Sequence, residues 1–123
     1  MKLCLSIIIP VYNRPNEIDE LLESLTKQDV SGGFEVLIIE DGSTQKSEVI
    51  VDKYKNQLEL KYFFKENSGA GASRNFGMQK ASGNYFIILD SDVIVPKQYL
   101  SEVKKTLESN FTDAFGGPDA AHE

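Results

Sequence analysis

The chain has 123 residues, enough for one domain built around one hydrophobic core. Apolar residues make up 41% of it and charged residues 26%, a balance typical of a globular protein and not of a disordered one. The net charge is −6, which argues against non-specific binding to nucleic acid or to an anionic bilayer. A small anionic ligand is still compatible with this charge, because backbone amides, a few arginines or a metal ion could hold it locally.

Cysteine content and the first apolar run bear on the compartment. Cys4 is the only cysteine, so the chain can form no internal disulfide and no cysteine-based zinc cluster. The apolar run at residues 5–11 is broken by Ser6 and Pro10, is too short to span a bilayer, and precedes no signal-cleavage site. We expect a cytoplasmic protein, with a peripheral position at the inner face of the membrane as the alternative for a longer form.

The first half of the chain alternates apolar runs with stretches of helical period. Residues 3–10 are dense in β-branched side chains and predict a buried strand that stops at Pro10. Four apolar side chains then recur at i, i+3, i+4 and i+7, which predicts one face of a helix with Asn16 as its N-cap. These side chains are Ile18, Leu21, Leu22 and Leu25. Residues 34–39 predict a second buried strand.

The same alternation continues in the middle of the chain. Ser43 or Thr44 can cap a second helix that continues to about Tyr54. Residues 60–64 predict a third strand, and Lys61 within it favours a less buried position at the edge of the sheet.

The last part of the chain repeats the pattern. Glycine-rich residues 68–71 lead into a short helix, and residues 85–89 predict a fourth strand. Residues 97–110 predict a further helix, and residues 114–115 predict the start of another strand. Strand–helix–strand repetition at this spacing predicts an α/β three-layer sandwich with a mostly parallel, Rossmann-like sheet and right-handed crossovers.

Polar residues of unusual type collect in the loops after three of these strands, at residues 12–15, 40–44 and 90–92. In parallel sheets, ligands bind outside the carboxyl ends of the strands. We therefore expect a functional site where these loops meet.

Asp90 and Asp92 directly follow the fourth predicted strand. Side chains two apart in an extended chain point the same way, so both carboxylates could converge on one point. Such hard oxygen donors suit Mg²⁺ or Mn²⁺, with phosphate oxygens and water as the remaining ligands. The alternative is that both aspartates only form a turn or cap a helix.

Each of the other candidate groups also has an alternative reading. Asp41 could accept a hydrogen bond from a nucleobase imide or a ribose hydroxyl, or simply form a turn with Gly42. Residues 68–75 lack the spacing of a dinucleotide fingerprint and of a P-loop. They still form a small-residue helix start that a ligand could approach closely, with Arg74 as a hydrogen-bond donor to phosphate, unless it is an ordinary surface arginine. Tyr12 and Arg14 offer an aromatic face and a cation, or merely pack.

Taken together, four ordered blocks resemble the family 2 glycosyltransferases, which have the GT-A fold. The blocks are SIIIPVYN at residues 6–13, EDGST at 40–44, NSGAGASRNFG at 67–77 and DSD at 90–92. They extend over nearly the whole chain, which makes the match specific.

This resemblance implies an inverting, metal-dependent transfer of sugar from a nucleotide-diphospho-sugar, expected to be UDP-linked, to a hydroxyl of a saccharide or lipid-linked acceptor. It implies Mn²⁺ or Mg²⁺ as cofactor, held by Asp92 and Asp90. The residues that it implies beside the nucleotide are Pro10, Tyr12, Arg14, Asp41, Arg74, Asp90 and Ser91.

The chain departs from the family pattern after the fourth block. Neither Asp119 nor Glu123 matches the acidic base of the family, so we expect residues 1–123 to be the nucleotide-diphospho-sugar-binding part of a domain truncated after its donor-binding half. The base would then lie beyond Glu123. A non-catalytic nucleotide-binding or assembly module with the same fold is the alternative. A nucleotidyltransferase is less favoured, because residues 11–15 lack glycine. An uncovered sheet surface would also favour homo-oligomers.

Overall fold

The computed structural model describes residues 3–30 and 32–109, in which four strands alternate with four helices. The strands are β1 (Leu5–Val11), β2 (Phe34–Asp41), β3 (Leu60–Lys65) and β4 (Tyr85–Ile88). The helices are α1 (Pro15–Thr26), α2 (Glu48–Tyr54), α3 (Ala70–Lys80) and α4 (Tyr99–Ser109). The strands form one parallel sheet in the order β3-β2-β1-β4, so their carboxyl ends share one edge. This confirms the predicted α/β architecture and the edge position of β3.

Apolar side chains cover both faces of the sheet. The larger core joins one face to α1, α2 and α4, and all four predicted apolar residues of α1 are buried in it. The smaller core joins the other face to α3 and centres on Ile8, Leu37, Ile39 and Ile88. These two cores on either side of the sheet make the three layers of the sandwich.

Helix α3 lies unusually close to the sheet because Gly77 faces it. A Cβ at Gly77 would lie 2.5 Å from Ile8 Cγ2 and 3.3 Å from Ile39 Cγ1, so a side chain there would push the helix outward. The absence of a side chain at Gly77 therefore allows the short distance between α3 and the sheet.

Strand β1 continues through Pro10 to Val11, so the prediction that it stops at Pro10 is wrong. The backbone carbonyl oxygen of Ile8 accepts a hydrogen bond from Leu89 N–H, so the backbone polar groups of Ile8 are directed toward β4. Because these directions alternate along a strand, the backbone nitrogen of Pro10 lies on the same side. Pairing with β4 ends at Ile8, so the N–H that Pro10 lacks interrupts no ladder bond.

Helix α1 begins two residues earlier than predicted. Its N-cap is Arg14 and its first residue is Pro15, which leaves Asn16 inside the first turn and not at the cap. The fixed φ of proline and its missing N–H suit the first helical position, and this preference outweighs the capping tendency of asparagine.

Helix α2 begins later than predicted, after Ser47, so neither Ser43 nor Thr44 caps it. The Ser43 hydroxyl donates to Glu40 and the Thr44 N–H donates to Asn13, which places both residues in the loop before the helix. Competing tertiary hydrogen bonds thus override the local capping signal.

Strand β4 ends one residue earlier than predicted, at Ile88. The predicted helix end at residue 110 and the strand start at residues 114–115 lie outside the described residues. Among the helices that the structure describes, none is long and apolar enough to cross a membrane.

Candidate functional site

Asn13 joins the loop after β1 to the loop after β2. Its backbone has a φ of +54°, a left-handed conformation that asparagine tolerates better than most residues. Its Oδ1 accepts hydrogen bonds from the N–H groups of Thr44 at 2.9 Å and Gln45 at 2.8 Å, and its own N–H donates to Ser43 Oγ at 2.8 Å. These bonds fix the two loops relative to each other at the carboxyl edge of the sheet.

Glu40 supports the same loops from inside the protein, where it is completely buried. Its carboxylate accepts hydrogen bonds from Ser43 Oγ at 2.5 Å, from Ser47 N at 2.8 Å and Oγ at 2.7 Å, and from the Tyr62 hydroxyl at 2.8 Å. Burial and the hydrogen bond to Glu40 raise the pKa of Tyr62, so this phenol remains a donor. A buried carboxylate requires such partners, and they make Glu40 a structural anchor of the site.

Asp41 follows Glu40 and, by strand alternation, points to the opposite face, where α3 lies. The residue is 6% exposed. Its Oδ1 accepts hydrogen bonds from Lys65 Nζ at 2.6 Å and Ser68 N at 2.9 Å, and its Oδ2 accepts one from Gly69 N at 3.0 Å. Burial alone would raise the pKa of Asp41, but these hydrogen bonds outweigh it and hold that pKa below its usual range.

The turn after Asp41 depends on a glycine. Gly42 has a φ of +70°, and a Cβ there would lie 2.7 Å from the backbone nitrogen of Asn67. Asn67 in turn donates its side-chain Nδ2–H to the Asp41 carbonyl oxygen at 3.0 Å. Two loops therefore pass each other at backbone contact beside Asp41, which only glycine permits.

The structure places the predicted residues of the first loop at the same edge. Tyr12 is 53% exposed, so its ring is open to a ligand. Arg14 is also exposed, and its guanidinium lies 3.5 Å from Glu17 of the same helix, a solvent-screened pair. Pro10 is half-buried within β1, one residue before the end of that strand.

Arg74 lies in the second turn of α3, after the loop that contacts Asp41. Its guanidinium makes no hydrogen bond or ion pair with any part of the chain that the structure describes. A half-buried arginine that keeps all its donors is suited to binding an anion.

Asp90, Ser91 and Asp92 follow β4, and both carboxylates are exposed. The chain is not extended here, as the prediction assumed: residues 91–92 form a turn, and Val93 N–H donates to the Asp90 carbonyl oxygen at 3.4 Å. The extended chain on which the predicted convergence of the two carboxylates rested is therefore absent.

The carboxylates of Asp90 and Asp92 are possible ligands of a divalent cation. Within residues 3–30 and 32–109, neither carboxylate has a side-chain partner, and no group of three or more histidine, cysteine or acidic side chains could hold a metal on its own. Mg²⁺ in phosphate-binding sites typically takes one or two carboxylates and fills its other positions with substrate phosphates and water. Asp90 and Asp92 thus fit a cation that binds together with a phosphorylated ligand.

Several residues of this site were not singled out from the sequence: Asn13, Glu40, Ser47, Tyr62, Lys65 and Asn67. One signal was available, because Glu40 continues the alternation of Val36 and Ile38 and so had to point into the larger core. No local pattern could have found Lys65, which reaches Asp41 only through the register of β2 with β3.

Solved structures share this fold. A fragment of TarS from Staphylococcus aureus, solved in complex with UDP-GlcNAc, superposes with a TM-score of 0.84 at 37% identity, over 89% of this chain and 32% of that one. The mannosyltransferase PcManGT from Pyrobaculum calidifontis, solved with GDP-Man and Mn²⁺, superposes with a TM-score of 0.80 at 25% identity, over 87% of this chain and 33% of that one. The fold is therefore that of the GT-A glycosyltransferases.

The family model described as Glycosyl transferase family 2 matches residues 6–121. The chain therefore belongs to glycosyltransferase family 2, which confirms the resemblance drawn from the four blocks.

Among curated relatives, an uncharacterized glycosyltransferase of Rickettsia felis is 41% identical over 105 residues, covering 85% of this chain and 17% of that protein. The poly(ribitol-phosphate) β-N-acetylglucosaminyltransferase TarS of Staphylococcus aureus is 37% identical over 111 residues, covering 88% of this chain and 19% of that protein. The chain spans about a fifth of the length of these relatives.

Proposed function

We propose that this chain binds the nucleotide-diphospho-sugar donor of an inverting, metal-dependent glycosyltransferase, with UDP as the expected nucleotide. One observation carries the proposal: a buried, hydrogen-bonded carboxylate at Asp41 lies at the same sheet edge as exposed carboxylates at Asp90 and Asp92, which have no side-chain partner among the described residues. The structure of TarS with UDP-GlcNAc and that of PcManGT with GDP-Man and Mn²⁺ support it.

In this proposal, the two ends of the nucleotide meet different chemistry. Asp41 accepts a hydrogen bond from the base, and the exposed ring of Tyr12 covers a face of the nucleoside above Pro10. Arg14 and Arg74 supply positive charge for the diphosphate, because a guanidinium forms strong charge-assisted hydrogen bonds with phosphate oxygens. Because the net charge of the chain is negative, these arginines and a bound divalent cation must attract the anionic donor locally.

Asp90 and Asp92 would hold Mn²⁺ or Mg²⁺, with Ser91 between them beside the ribose. Such a cation, when bound, neutralises the charge that develops on the departing diphosphate. Two carboxylates leave enough positions for phosphate oxygens.

Transfer itself requires an acceptor hydroxyl, from a saccharide or a lipid-linked acceptor, that attacks the anomeric carbon from the face opposite the diphosphate. The configuration at that carbon is then inverted. A carboxylate base must remove the proton of the hydroxyl, and we assign that role to none of the described residues. Donor binding is therefore the activity to measure on this chain.

Two broader parts of the proposal concern the setting of the protein. Strand β4 has no further neighbour among the described strands, and an open groove of about 270 Å³ beside it is lined by Tyr85, Tyr99 and Val103. We propose that this side supports self-association, which light scattering at high concentration would detect as dimers and which a monomer at every concentration would contradict. We also propose a cytoplasmic location, peripheral to the membrane in a longer form; fractionation of cells that produce the protein would test it, and recovery only in a secreted fraction would contradict it.

Isothermal titration with UDP, with and without Mn²⁺, tests donor binding. We expect UDP to bind more tightly with Mn²⁺, and Asp92→Asn to remove most of that metal-dependent gain. Asp52→Asn is the matched control, since Asp52 is an exposed aspartate on α2 that pairs with Lys55. Absence of heat with every nucleoside diphosphate, or binding that neither Mn²⁺ nor Asp92→Asn alters, would contradict the proposal.

A further inference from the structure

Lys65 lies beside the site, and its ammonium group already binds other groups of the chain. Its ammonium donates to Asp41 Oδ1 at 2.6 Å, to the Glu66 carbonyl oxygen at 2.9 Å and to Ser68 Oγ. An ammonium has three N–H donors, so all of them have partners. The side chain is only 13% exposed. Lys65 therefore has no free donor for a diphosphate, although a lysine at this edge would ordinarily suggest one.

Acceptor capacity at Asp41 is nearly used up in the same way. A carboxylate has about four lone-pair positions. Lys65 and Ser68 take both positions on Oδ1, and Gly69 takes one on Oδ2. A single acceptor position remains, on Oδ2. That position suits one N–H donor and does not suit the two adjacent hydroxyls of a ribose, which need two acceptors.

We propose that Lys65 is a positioning residue that determines nucleobase specificity: it keeps Asp41 charged and leaves it one acceptor position, which fits a base with a ring N–H. This rests on the proposed function, in which Asp41 contacts the base. Uracil and guanine carry an N–H next to a carbonyl group. Cytosine and adenine present a bare ring nitrogen there, whose lone pair would face the carboxylate without a proton between them.

The surroundings of Asp41 make Lys65 its dominant charged neighbour. From β3, the charged group in contact with Asp41 is Lys65. From the loop before α3, the contacts are the neutral backbone amides of Ser68 and Gly69. Glu40, next in β2, points to the other face. Burial raises the pKa of Asp41, so removal of Lys65 leaves less to oppose burial, and the carboxyl takes up a proton at higher pH. A protonated carboxyl donates a hydrogen bond and can pair with the ring nitrogen of cytosine.

Titration of UDP and CDP in the presence of Mn²⁺, from pH 8 to pH 5, tests this inference on the wild type and on Lys65→Met. For the wild type we expect UDP to bind at least 10-fold more tightly than CDP at every pH. For Lys65→Met we expect UDP to bind about 10-fold more weakly, and the UDP-to-CDP ratio to fall toward one as the pH decreases. A change of ratio with pH is not expected from a merely structural defect.

Two further variants make the result specific. Lys61→Met is the matched control, because Lys61 pairs with Glu35 on the same two strands but near the end where those strands begin. This variant should keep the wild-type UDP-to-CDP ratio at every pH. Lys65→Gln, which keeps a neutral donor and most of the side-chain length, should show the same shift as Lys65→Met and replaces it if Lys65→Met does not fold.

The outcomes separate this inference from the proposed function. If the wild type binds UDP and the UDP-to-CDP ratio of both Lys65 variants stays constant over this pH range, the role of Lys65 is overturned and donor binding stands. If the wild type binds no nucleotide, the proposed function fails and the inference fails with it.

Discussion

Two buried carboxylates at opposite ends of β2 have nearly the same environment and different consequences. Glu35 and Asp41 point to the same face of the sheet, beneath α3. Each pairs with a lysine of β3, Lys61 for Glu35 and Lys65 for Asp41, and each accepts backbone N–H groups next to one end of α3. Asp41 lies at the edge where the strands end and the polar loops meet, whereas Glu35 lies at the edge where the strands begin.

The Glu35 carboxylate is surrounded by groups of this chain, two side chains of the sheet and one backbone N–H after α3. Ser6 Oγ donates to Glu35 Oε2 at 2.6 Å, Ser82 N donates to the same oxygen at 2.7 Å, and Lys61 lies 2.9 Å from Oε1. Burial raises the pKa of Glu35, but these contacts outweigh it and lower that pKa to about 2. The same polar groups therefore stabilise the fold where the strands begin and are available for ligand recognition where the strands end, because only the second position lies beside the polar loops.

The largest difference between the two ends should come from Gly42→Ala. An alanine at a φ of +70° costs about 1–2 kcal/mol, and its contact with the Asn67 backbone at 2.7 Å costs about as much again. We expect the free energy of unfolding, measured in urea, to fall by about 2–4 kcal/mol, and UDP binding to be lost.

Gly32→Ala is the control for this change. Gly32 has a φ of +86° but nothing within 4 Å of its added Cβ, so it pays only the backbone cost of about 1–2 kcal/mol. Equal losses of stability in the two variants would show that close approach at Gly42 is unimportant.

Glu35→Gln should show that Glu35 contributes to stability and that Asp41 contributes to UDP binding. The lowered pKa of Glu35 corresponds to about 3 kcal/mol in favour of its charged form. A neutral amide accepts weaker hydrogen bonds from Ser6 and Ser82, so the free energy of unfolding should fall by about that amount. UDP affinity of the folded variant should be unchanged, whereas Asp41→Asn should weaken UDP binding by about 100-fold. A comparable loss of UDP affinity in Glu35→Gln would remove the distinction between the two ends.

Protonation of Glu35 in acid should lower the free energy of unfolding within a defined pH range. The pKa of Glu35 lies at about 2 in the folded protein, below its ordinary value of 4.5, so its contribution is complete above pH 4.5 and is lost as the pH falls toward 2. By pH 3 the loss relative to pH 7 is about 2 kcal/mol. Urea denaturation at both pH values should show a loss for the wild type that is larger by this amount than for Glu35→Gln. Parallel pH curves would contradict the assignment.

The smallest effect is expected for Lys61→Met. Lys61 is 37% exposed, so solvent screens its pairing with Glu35, and Ser6 and Ser82 still hold the carboxylate. We expect a loss of about 1 kcal/mol, measured by urea denaturation. A loss as large as that of Glu35→Gln would show that the ion pair, and not the hydrogen bonds, holds this end together.

The order of the helices and strands could be predicted from local residue patterns. Hydrophobic period separates helices from strands because it depends on near neighbours in the chain, and the buried face of α1 follows from it directly. The loop signals correctly placed Asp90 and Asp92 after β4, at the carboxyl edge of a parallel sheet. Strand β2 extends two residues beyond its predicted end, so Asp41 is its last residue and not part of the following loop.

The partners of the polar groups depend on contacts between elements that are distant in the sequence. Lys65 reaches Asp41 because the register of β3 against β2 aligns the two residues, and register is a property of two strands and not of either one. Ser43 does not cap α2, because its hydroxyl donates to the buried carboxylate of Glu40 and accepts a hydrogen bond from Asn13 N–H. Leaving that carboxylate without a partner would cost more than the missing helix cap does. The number of acceptor positions left on Asp41 follows from those contacts, and no local pattern of residues contains it.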